Sequence, residues 1–464
     1  MKRRTFIKKS LACAVLAPLV SVGQSALKTV LRGGKCFAGG GWKIMDVGID
    51  SAGRIVLGDQ DTLQAADIVQ INDRVVSPGF IDILTDNTIN PERTYSIVEE
   101  YKVTDGVTTA LQMHGGSAKV AEHYRVFDAK PHYVNYGVST AVMRVRYASS
   151  SLAERKRRVE QCLEEGGLGV SHSIEYQPTP YEEVLTYARL AKKYDRPLFL
   201  HLRYSSAEQE LTGVDEAIRL AADSGARVHI SHLHSTGGTF HMEEALTRIR
   251  DARTNGMEIT CCVYPYSFWA TYLHSTRFDD GWQQRYKLTY NDLQLVGTGE
   301  RLTAATFQKY RAMKKLAAVP EGTLPLEKTV DLALREPFCV IGSDGGIEYA
   351  TKANSHPRGA GCFSTSIRRG LDIGLKLETI VEKMTTGPRN LLRPLIKDRG
   401  VLERGAWADL VIFDPATING TAQISNPNQY SRGIDHVWVN GKAAYQKGKL
   451  AGHPGKPIRF GLTK

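Results

Sequence analysis

Three histidines and one aspartate stand where short apolar runs of this sequence end. They are His114, His201, His232 and Asp344. An apolar run of strand length that ends on a polar residue and leads into a helical pattern is typical of a parallel α/β protein. The runs that end at His201 and His232 are one strand–helix unit apart. We therefore expect both side chains at the same mouth of a barrel.

These residue types predict a metal-dependent hydrolase. Three imidazole ligands with one open position are the arrangement of a catalytic Zn²⁺, and a nearby carboxylate can take a proton from the water bound there. We interpret His114, His201 and His232 as ligands of Zn²⁺, and Asp344 as the general base for attack of that water on an amide carbon. The alternative is that the histidines are ordinary packed residues, as a lone histidine after an apolar run usually is.

The elements that would position these residues are eight candidate strands in the middle of the chain. They end near Leu84, Met113, Val142, Ser173, His201, His232, Tyr264 and Ser343. Most intervals fit one strand plus one helix, which predicts an α/β fold, a (β/α)8 TIM-like barrel, over residues 78–399. The last interval is longer. We interpret residues 268–336 as an insertion after the seventh strand that covers the active-site face.

The insertion is rich in aromatic residues. They include Phe268, Trp269, Tyr272, Trp282 and Tyr286. As part of a lid, they would bind acyl chains, and otherwise they would form a small core within the insertion itself. Both interpretations stay open at the level of the sequence.

Both ends of the chain read as short strands separated by turns. The N-terminal set lies within residues 27–77 and the C-terminal set within residues 400–464. Strand-rich ends around an α/β middle predict one small β-sandwich domain built from both chain ends. Two separate β-caps are the alternative.

Residues 1–26 resemble a twin-arginine export signal. Arg3 and Arg4 lie in an Arg-Arg-x-Phe-Ile-Lys pattern, and an apolar stretch over 11–22 precedes small residues. This predicts a periplasmic or otherwise exported protein that is a client of the twin-arginine export machinery. Cys13 lies inside the apolar stretch rather than after it, and no later stretch is long enough to span a bilayer, so we expect no stable membrane anchor.

Charge and cysteine content restrict the partners further. The predicted signal holds five basic residues and no acid, which leaves about +6 of the formal +11 charge on the remaining chain. The basic residues are scattered without an aromatic–basic stripe, which argues against nucleic-acid binding and suits a small anionic substrate. The other cysteines lack C-x-x-C spacing, and we expect mostly free, buried thiols. No pattern indicates an oligomeric state.

Several short motifs carry a resemblance to a known family. They are Ser-Pro-Gly-Phe-Ile-Asp at 77–82, Gly-Val-Thr-Thr at 106–109, Gly-Val-Ser at 169–171, Glu-Tyr at 175–176, Tyr-Pro-Tyr at 264–266, Ser-Asp at 343–344, His-Pro-Arg at 356–358 and Ala-Asp-Leu at 408–410. In this order they resemble the amidohydrolase superfamily in its N-acyl-D-amino-acid deacylase branch. Residues 204–206, 234–236 and 297–303 are similar to D-glutamate deacylases. The resemblance covers about residues 28–460.

The resemblance implies the same site as the spacing does. The family's histidine ligands on the fifth and sixth strands fall on His201 and His232, and its catalytic aspartate falls on Asp344. Its ligand on the second strand, often Cys or Glu, falls on His114. A histidine there can still bind zinc.

The first strand departs from the family pattern. The family's Asp-x-His-x-His becomes Asp82-Ile83-Leu84-Thr85-Asp86. Leu84 cannot coordinate a metal, and Asp86 could do so only through oxygen. We therefore predict one Zn²⁺, with Asp86 as a candidate ligand and a second metal position that is absent or weak.

Three further residues are candidates for binding the substrate. Arg203 lies two residues beyond His201, Tyr264 ends the seventh strand, and Arg358 lies in a loop after Asp344. A guanidinium and a phenol hydroxyl suit an α-carboxylate. The alternative for both arginines is a surface ion pair.

We interpret the chain as an exported metal-dependent amidohydrolase that cleaves the amide bond of an N-acyl amino acid, of the D-series and with N-acyl-D-glutamate as one candidate. A hydrolase of a cyclic amide or of a peptide fragment is a second interpretation. A third is a catalytically inactive periplasmic protein with a binding or maturation role.

Overall fold

The structure is a computed structural model and describes residues 27–85, 91–319, 324, 327–348 and 351–461. The predicted signal at 1–26 lies outside the described residues. The strands are β1 (Leu27–Ala38), β2 (Gly41–Asp50), β3 (Ile55–Gly58), β4 (Asp67–Gln70), β5 (Val75–Pro78), β6 (Phe80–Asp82), β7 (Val107–Ser117), β8 (Asn135–Ala141), β9 (Val170–Ser173), β10 (Leu198–His201), β11 (Val228–Ile230), β12 (Ile259–Val263), β13 (Ala270–Tyr272), β14 (Gln294–Leu295), β15 (Leu316–Ala318), β16 (Cys339–Ile341), β17 (Ile347–Glu348), β18 (Ala353–Asn354), β19 (Leu410–Phe413), β20 (Ile434–Val439), β21 (Lys442–Gln446) and β22 (Lys449–Leu450).

Helices alternate with the strands through the middle of the chain. They are α1 (Pro91–Thr104), α2 (Val120–Phe127), α3 (Val142–Tyr147), α4 (Leu152–Glu164), α5 (Tyr181–Lys193), α6 (Glu210–Ser224), α7 (Met242–Thr254), α8 (Trp282–Tyr286), α9 (Ala304–Ala312), α10 (Glu327–Arg335), α11 (Arg358–Asp372), α12 (Leu377–Glu382) and α13 (Thr386–Leu391). Among the described residues, no helix is both long and apolar enough to cross a bilayer.

The predicted barrel is confirmed. Within the described residues, eight parallel strands follow one another in the order β6–β7–β8–β9–β10–β11–β12–β16. The central strands β8, β9 and β10 are buried at every position, as expected for a parallel sheet with both faces covered. The helix α6 shows how a unit is built, because Val214, Ala217 and Leu220 face the core and Gly225 ends the helix at φ +64°.

The barrel closes differently between its first and last strands. A segment that follows α12 bonds to both of them, because Ile81 N donates to Met384 O and Ile341 N donates to Lys383 O. At the upper end of the barrel, where the strands have their carboxyl ends, Ser343 N donates to the Oδ1 of Asp82 over 3.1 Å. We call this junction between β6 and β16 the seam. It is closed by a crossing segment and by side chains rather than by a ladder between the two strands.

The strand-rich sheet domain is also confirmed. Its path is β22–β21–β20–β19–β5–β1–β2–β3, with β4 paired to β1. The N-terminal strand β5 pairs with the C-terminal strand β19, with Val76 opposite Ile412. One continuous sheet therefore joins both ends of the chain.

The insertion has its own core. Trp269, Trp282 and Tyr286 pack together with Phe278 and Phe307, beside the small sheet of β13, β15 and β14. Of the other predicted lid aromatics, Phe268 packs on His356 and Tyr272 is exposed. For Trp269 and Trp282, this packing is what the small-core interpretation expects. The six cysteines of the described residues are all free and buried.

Candidate metal centre

Three imidazoles meet where the barrel strands end. His201 is the last residue of β10, His232 follows β11, and His114 lies near the end of β7. One ring nitrogen from each lies within 4.8 Å of the others. The Nδ1 of His201 and the Nε2 of His232 are 3.2 Å apart. Two nitrogens around a tetrahedral Zn²⁺ with bonds of about 2.0–2.1 Å are about 3.4 Å apart, so the spacing fits a zinc ion.

The electrostatic surroundings keep these rings in the metal-binding form. Burial lowers the pKa of His114 to about 4. Burial also lowers the pKa of His232 well below its usual value, and the neighbouring His201 and His114 add to the effect. Because a metal binds the neutral imidazole, both rings are ready to coordinate at neutral pH.

Polar side chains hold the outer nitrogens of two of the rings. His201 Nε2 lies 2.7 Å from the Oε2 of Glu175, and His232 Nδ1 lies 3.0 Å from the Oγ of Ser235. The Nη2 of Arg277 donates to the same Glu175 oxygen over 3.0 Å. Burial raises the pKa of Glu175, but Arg277 and His201 outweigh it and lower that pKa to about 2. A charged carboxylate in this place fixes the orientation of His201 and increases its basicity.

An irregularity in β7 aims His114 at the other two rings. The sequence predicts that this strand ends near Met113, but it continues to Ser117. Its register with β8 shifts between Gln112 and Ser117, and Gly116 has φ +73°. Such a bulge re-aims the side chains around it, and it explains why the candidate ligand His114 lies before the end of the strand.

Asp344 lies beside the triad. Its Oδ2 is 4.0 Å from the Nε2 of His232 and 2.8 Å from the Nη2 of Arg358. Asp344 and His232 both have left-handed backbone conformations, with φ +49° and φ +32°. Residues other than glycine adopt such values at a cost, and they do so most often at functional sites.

Two of the three predicted substrate-binding residues lie together. Tyr264 is fully buried, and the Cζ of Arg358 lies 4.5 Å from its ring centroid. The ring of His234 is 4.1 Å from the same ring. Because Arg358 is buried and paired with Asp344, the surface ion-pair interpretation does not hold for it.

Arg203 lies elsewhere, in a cavity beside the triad. Its guanidinium donates to both carboxylate oxygens of Glu216, over 2.6 and 2.9 Å, and to Thr179 O. The cavity has a volume of about 240 Å³. It is lined by Glu175, Arg203, Tyr204, Ser205, Ser206, Gln209, Thr276, Arg277, Arg285 and Tyr286. Glu175 connects this cavity to the triad through His201.

The end of the first strand holds no imidazole among the described residues. Leu84 is buried in an apolar cluster with Cys262 and Val340. The predicted ligand Asp86 lies outside the described residues. Asp82 is fully buried and forms an ion pair with Lys102, whose Nζ is 3.1 Å from its Oδ2.

Sequence reasoning missed the residues that support the ligands. Glu175 lies just beyond the fourth strand, in the Glu-Tyr motif that carries part of the family resemblance, but it was given no role in the site. Arg277 and Lys102 gave no pattern, because a basic residue in an insertion or near the end of a helix usually lies at the surface. Both are buried in the structure.

Comparisons with known proteins identify the family of the chain and several relatives. A family model described as the amidohydrolase family matches residues 163–445. The N-acyl-D-glutamate deacylase of Alcaligenes xylosoxydans xylosoxydans is 27% identical over 483 residues, which cover 94% of this chain and 97% of that protein.

Two solved structures have the same fold over nearly the whole chain. The N-acyl-D-glutamate deacylase of Bordetella bronchiseptica, in complex with zinc and a phosphonate inhibitor, superposes with a TM-score of 0.79 at 24% identity. A D-aminoacylase with a binuclear metal centre superposes with a TM-score of 0.79 at 22% identity. In each case the match covers 94% of this chain and 100% of the other.

Proposed function

Because the chain belongs to the amidohydrolase family, we propose that it hydrolyses the amide bond of an N-acylated D-amino acid. The observation that carries this proposal is the meeting of His114, His201 and His232 with Asp344 at one mouth of the barrel. The donor set fits Zn²⁺, and the base lies next to it. Metal-assisted amide hydrolysis needs these two parts.

The three histidines would hold one Zn²⁺. When bound, this ion supplies Lewis acidity and lowers the pKa of a water molecule. The Glu175 carboxylate and the Ser235 hydroxyl hold the outer nitrogens of His201 and His232, so the ring orientations are set before the ion arrives.

Asp344 is the proposed general base. Its carboxylate would take a proton from the attacking water and return it to the amine nitrogen that leaves the substrate. The Nη2 of Arg358 lies 2.8 Å from one of its oxygens and holds the carboxylate in place beside the triad. Its left-handed backbone directs the side chain from the strand end towards the histidines.

The charges around the site favour an anionic substrate. Arg358 and Tyr264 lie next to Asp344 and suit an α-carboxylate. Arg203, Arg277 and Arg285 line the adjoining cavity. Two of these arginines have carboxylate partners, Glu216 and Glu175, so the cavity carries a modest positive charge.

The relatives refine the substrate class and the metal count. The matched proteins include an N-acyl-D-glutamate deacylase and an N-acyl-D-aspartate deacylase, and we propose an acidic N-acyl-D-amino acid as the first substrate to test. The D-aminoacylase centre is described as activated by one metal and attenuated by a second. One ion held by His114, His201 and His232 suits that behaviour.

We also propose that the protein is exported in folded form by the twin-arginine route. The support is the Arg-Arg-x-Phe-Ile-Lys pattern and the apolar stretch within residues 1–26. An enzyme exported already folded would take up its metal in the cytosol.

The deciding experiment combines metal analysis with a substrate panel. Purified protein is loaded with Zn²⁺ and assayed on N-acetyl and N-formyl derivatives of D- and L-glutamate, aspartate, leucine and alanine, and on a cyclic amide. We expect about one tightly bound zinc per chain and a preference for D-derivatives. If the protein binds no zinc even when zinc is in excess, the hydrolase proposal is refuted. The result would favour the alternative of a catalytically inactive protein with a binding or maturation role.

A further inference from the structure

Lys102 is a buried lysine at the upper end of the seam. It lies in the last turn of α1, and its side chain is 1% exposed. Its Nζ is 3.1 Å from the Oδ2 of Asp82 and donates to the Oγ of Ser343 over 2.8 Å. Removing an ammonium group from water has a large free-energy penalty unless partners with good geometry surround it. A buried lysine in this place therefore needs an explanation.

The partners of this ammonium are themselves held tightly. Asp82 accepts from Leu84 N over 3.0 Å and from Ser343 N over 3.1 Å, and its other oxygen accepts from Ser343 Oγ over 2.5 Å. Ser343 Oγ also accepts a hydrogen bond from Gly345 N over 3.2 Å. One network thus joins α1, the end of β6 and the loop after β16, which are three separate parts of the chain.

The space around the ammonium is nearly full. A Cβ built on Gly345 would lie 3.2 Å from Lys102 Nζ, 3.2 Å from Thr85 O and 3.0 Å from Gly359 Cα. A Cβ built on Gly342 would lie 3.2 Å from the Cδ1 of Leu84. The ammonium is held in this packed region by Asp82 and Ser343.

The network ends one residue before the proposed base. Ser343 immediately precedes Asp344, which has the left-handed backbone conformation. The ammonium and the Asp82 carboxylate hold Ser343 through both its amide and its hydroxyl. The direction in which Asp344 leaves the strand is set by this anchorage.

We propose that the buried positive charge of Lys102 limits the site to one metal ion, and that Lys102 also positions Asp344. The inference rests on the proposed function in that it assumes zinc at the histidine triad. Lys102 occupies the Asp82 carboxylate, and its positive charge repels a second ion at the first-strand end, where little water screens the repulsion. Through Ser343, it also keeps the Asp344 side chain beside the triad.

The charge part of the proposal is tested by metal stoichiometry. Leu84→His restores an imidazole at the first strand, and Lys102→Met removes the charge while keeping the length of the side chain. We expect about one zinc per chain for wild type and for Leu84→His, and about two for the double variant, by elemental analysis after equilibration with excess zinc. Two ions in Leu84→His alone, or one ion in the double variant, would overturn the role of the charge.

The positioning part is tested by kinetics of the zinc-loaded enzyme. In Lys102→Met we expect kcat to fall roughly 10- to 100-fold with KM within about threefold of wild type, because a base displaced by about 1 Å loses alignment. Lys102→Arg keeps the charge and should recover part of the loss. An unchanged kcat in Lys102→Met would refute the positioning role.

A matched control separates this role from general destabilisation. Lys383 is also buried at the seam, but its Nζ donates to the carbonyl oxygens of Glu336 and Cys339 at the opposite end. Lys383→Met should lower the unfolding temperature without changing kcat or zinc content. A similar loss of kcat in Lys383→Met would show that the Lys102 effect is only structural.

The outcomes also separate this inference from the proposed function. Wild-type protein without zinc and without deacylase activity would refute the proposed function itself. Wild-type protein with one zinc and activity, together with Lys102 variants that behave like wild type, would refute the inference alone.

Discussion

Replacing Glu175 by glutamine tests whether the metal centre depends on its outer partners. The substitution keeps the size and one acceptor oxygen but removes the negative charge. In the structure the Oε2 of Glu175 lies 2.7 Å from His201 Nε2 and accepts a hydrogen bond from Arg277. The Oε1 of Glu175 accepts a hydrogen bond from the hydroxyl of Ser205. The variant therefore weakens the support of one metal ligand without changing any ligand.

The expected loss of metal affinity follows from these contacts. Outer partners of metal-binding histidines are typically worth 10- to 100-fold in affinity, or about 1.4–2.8 kcal/mol. Removing the negative charge of Glu175 also leaves the buried Arg277 guanidinium without its charged partner. Breaking such a buried pair costs about 3–5 kcal/mol of folding free energy, and the glutamine oxygen should keep the loss near the lower figure.

Glu216→Gln is the matched control. Glu216 is paired with Arg203 at the same cavity and is about as exposed as Glu175, with side chains 14% and 13% exposed, but it contacts no ligand histidine. We expect Glu216→Gln to bind zinc like wild type and to lose about 1 kcal/mol of stability or less.

The assay is a competition titration of zinc against a chromogenic chelator, with urea unfolding in EDTA to measure stability separately. We expect a higher zinc Kd in Glu175→Gln only. If Glu175→Gln binds zinc within twofold of wild type, the carboxylate does not tune His201, and the reasoning about outer partners is refuted.

Further predictions concern the ligands, the base, the export signal and pH. Removing one imidazole, as in His201→Ala, should abolish tight zinc binding, whereas Asp344→Asn should keep zinc and lose kcat by roughly 100-fold or more; loss of zinc in Asp344→Asn would instead make it a ligand. Arg3→Lys with Arg4→Lys should leave the protein in the cytoplasm on cell fractionation, and normal export of this variant would exclude the twin-arginine route. The pKa of His114 is lowered to about 4 in the folded protein, so the unfolded chain alone takes up its proton as pH falls from 6.5 to 4. The metal-free protein should therefore lose roughly 2 kcal/mol of stability over this window, less than the full shift implies because the side chain is partly exposed, and an unchanged slope in His114→Gln would contradict this assignment.

The barrel and the meeting of the three histidines could be predicted from the sequence because both depend on local patterns. Buried parallel strands are apolar runs, and their carboxyl ends meet at one face, so His201 and His232 could be paired from the sequence alone. The confirmed strand order shows that the spacing of the apolar runs is sufficient to identify the fold. The predicted end of the second barrel strand near Met113 was wrong, because β7 continues past His114 to Ser117 through a bulge.

Contacts between distant segments could not be predicted. Glu175 and Arg277 belong to the fourth strand's loop and to the insertion, and Lys102 and Ser343 are brought together only when the barrel closes. A buried lysine and a surface lysine at the end of a helix look alike in sequence. The ion pair of Arg203 could not be predicted either, because its partner Glu216 lies on α6 and the two meet only when the loop before α6 is folded.

The shared sheet has a consequence for the order of synthesis. The strand β5 is made early, but its neighbour β19 leaves the ribosome roughly 330 residues later, which takes tens of seconds at about 5–20 residues per second. During that time the edge of β5 has no strand to pair with, and an open edge invites association with other chains. Because β1 pairs with the opposite edge of β5, we expect chaperones to protect the edge that faces β19 until translation is nearly finished. Under the proposed twin-arginine route, export would have to wait for this last pairing.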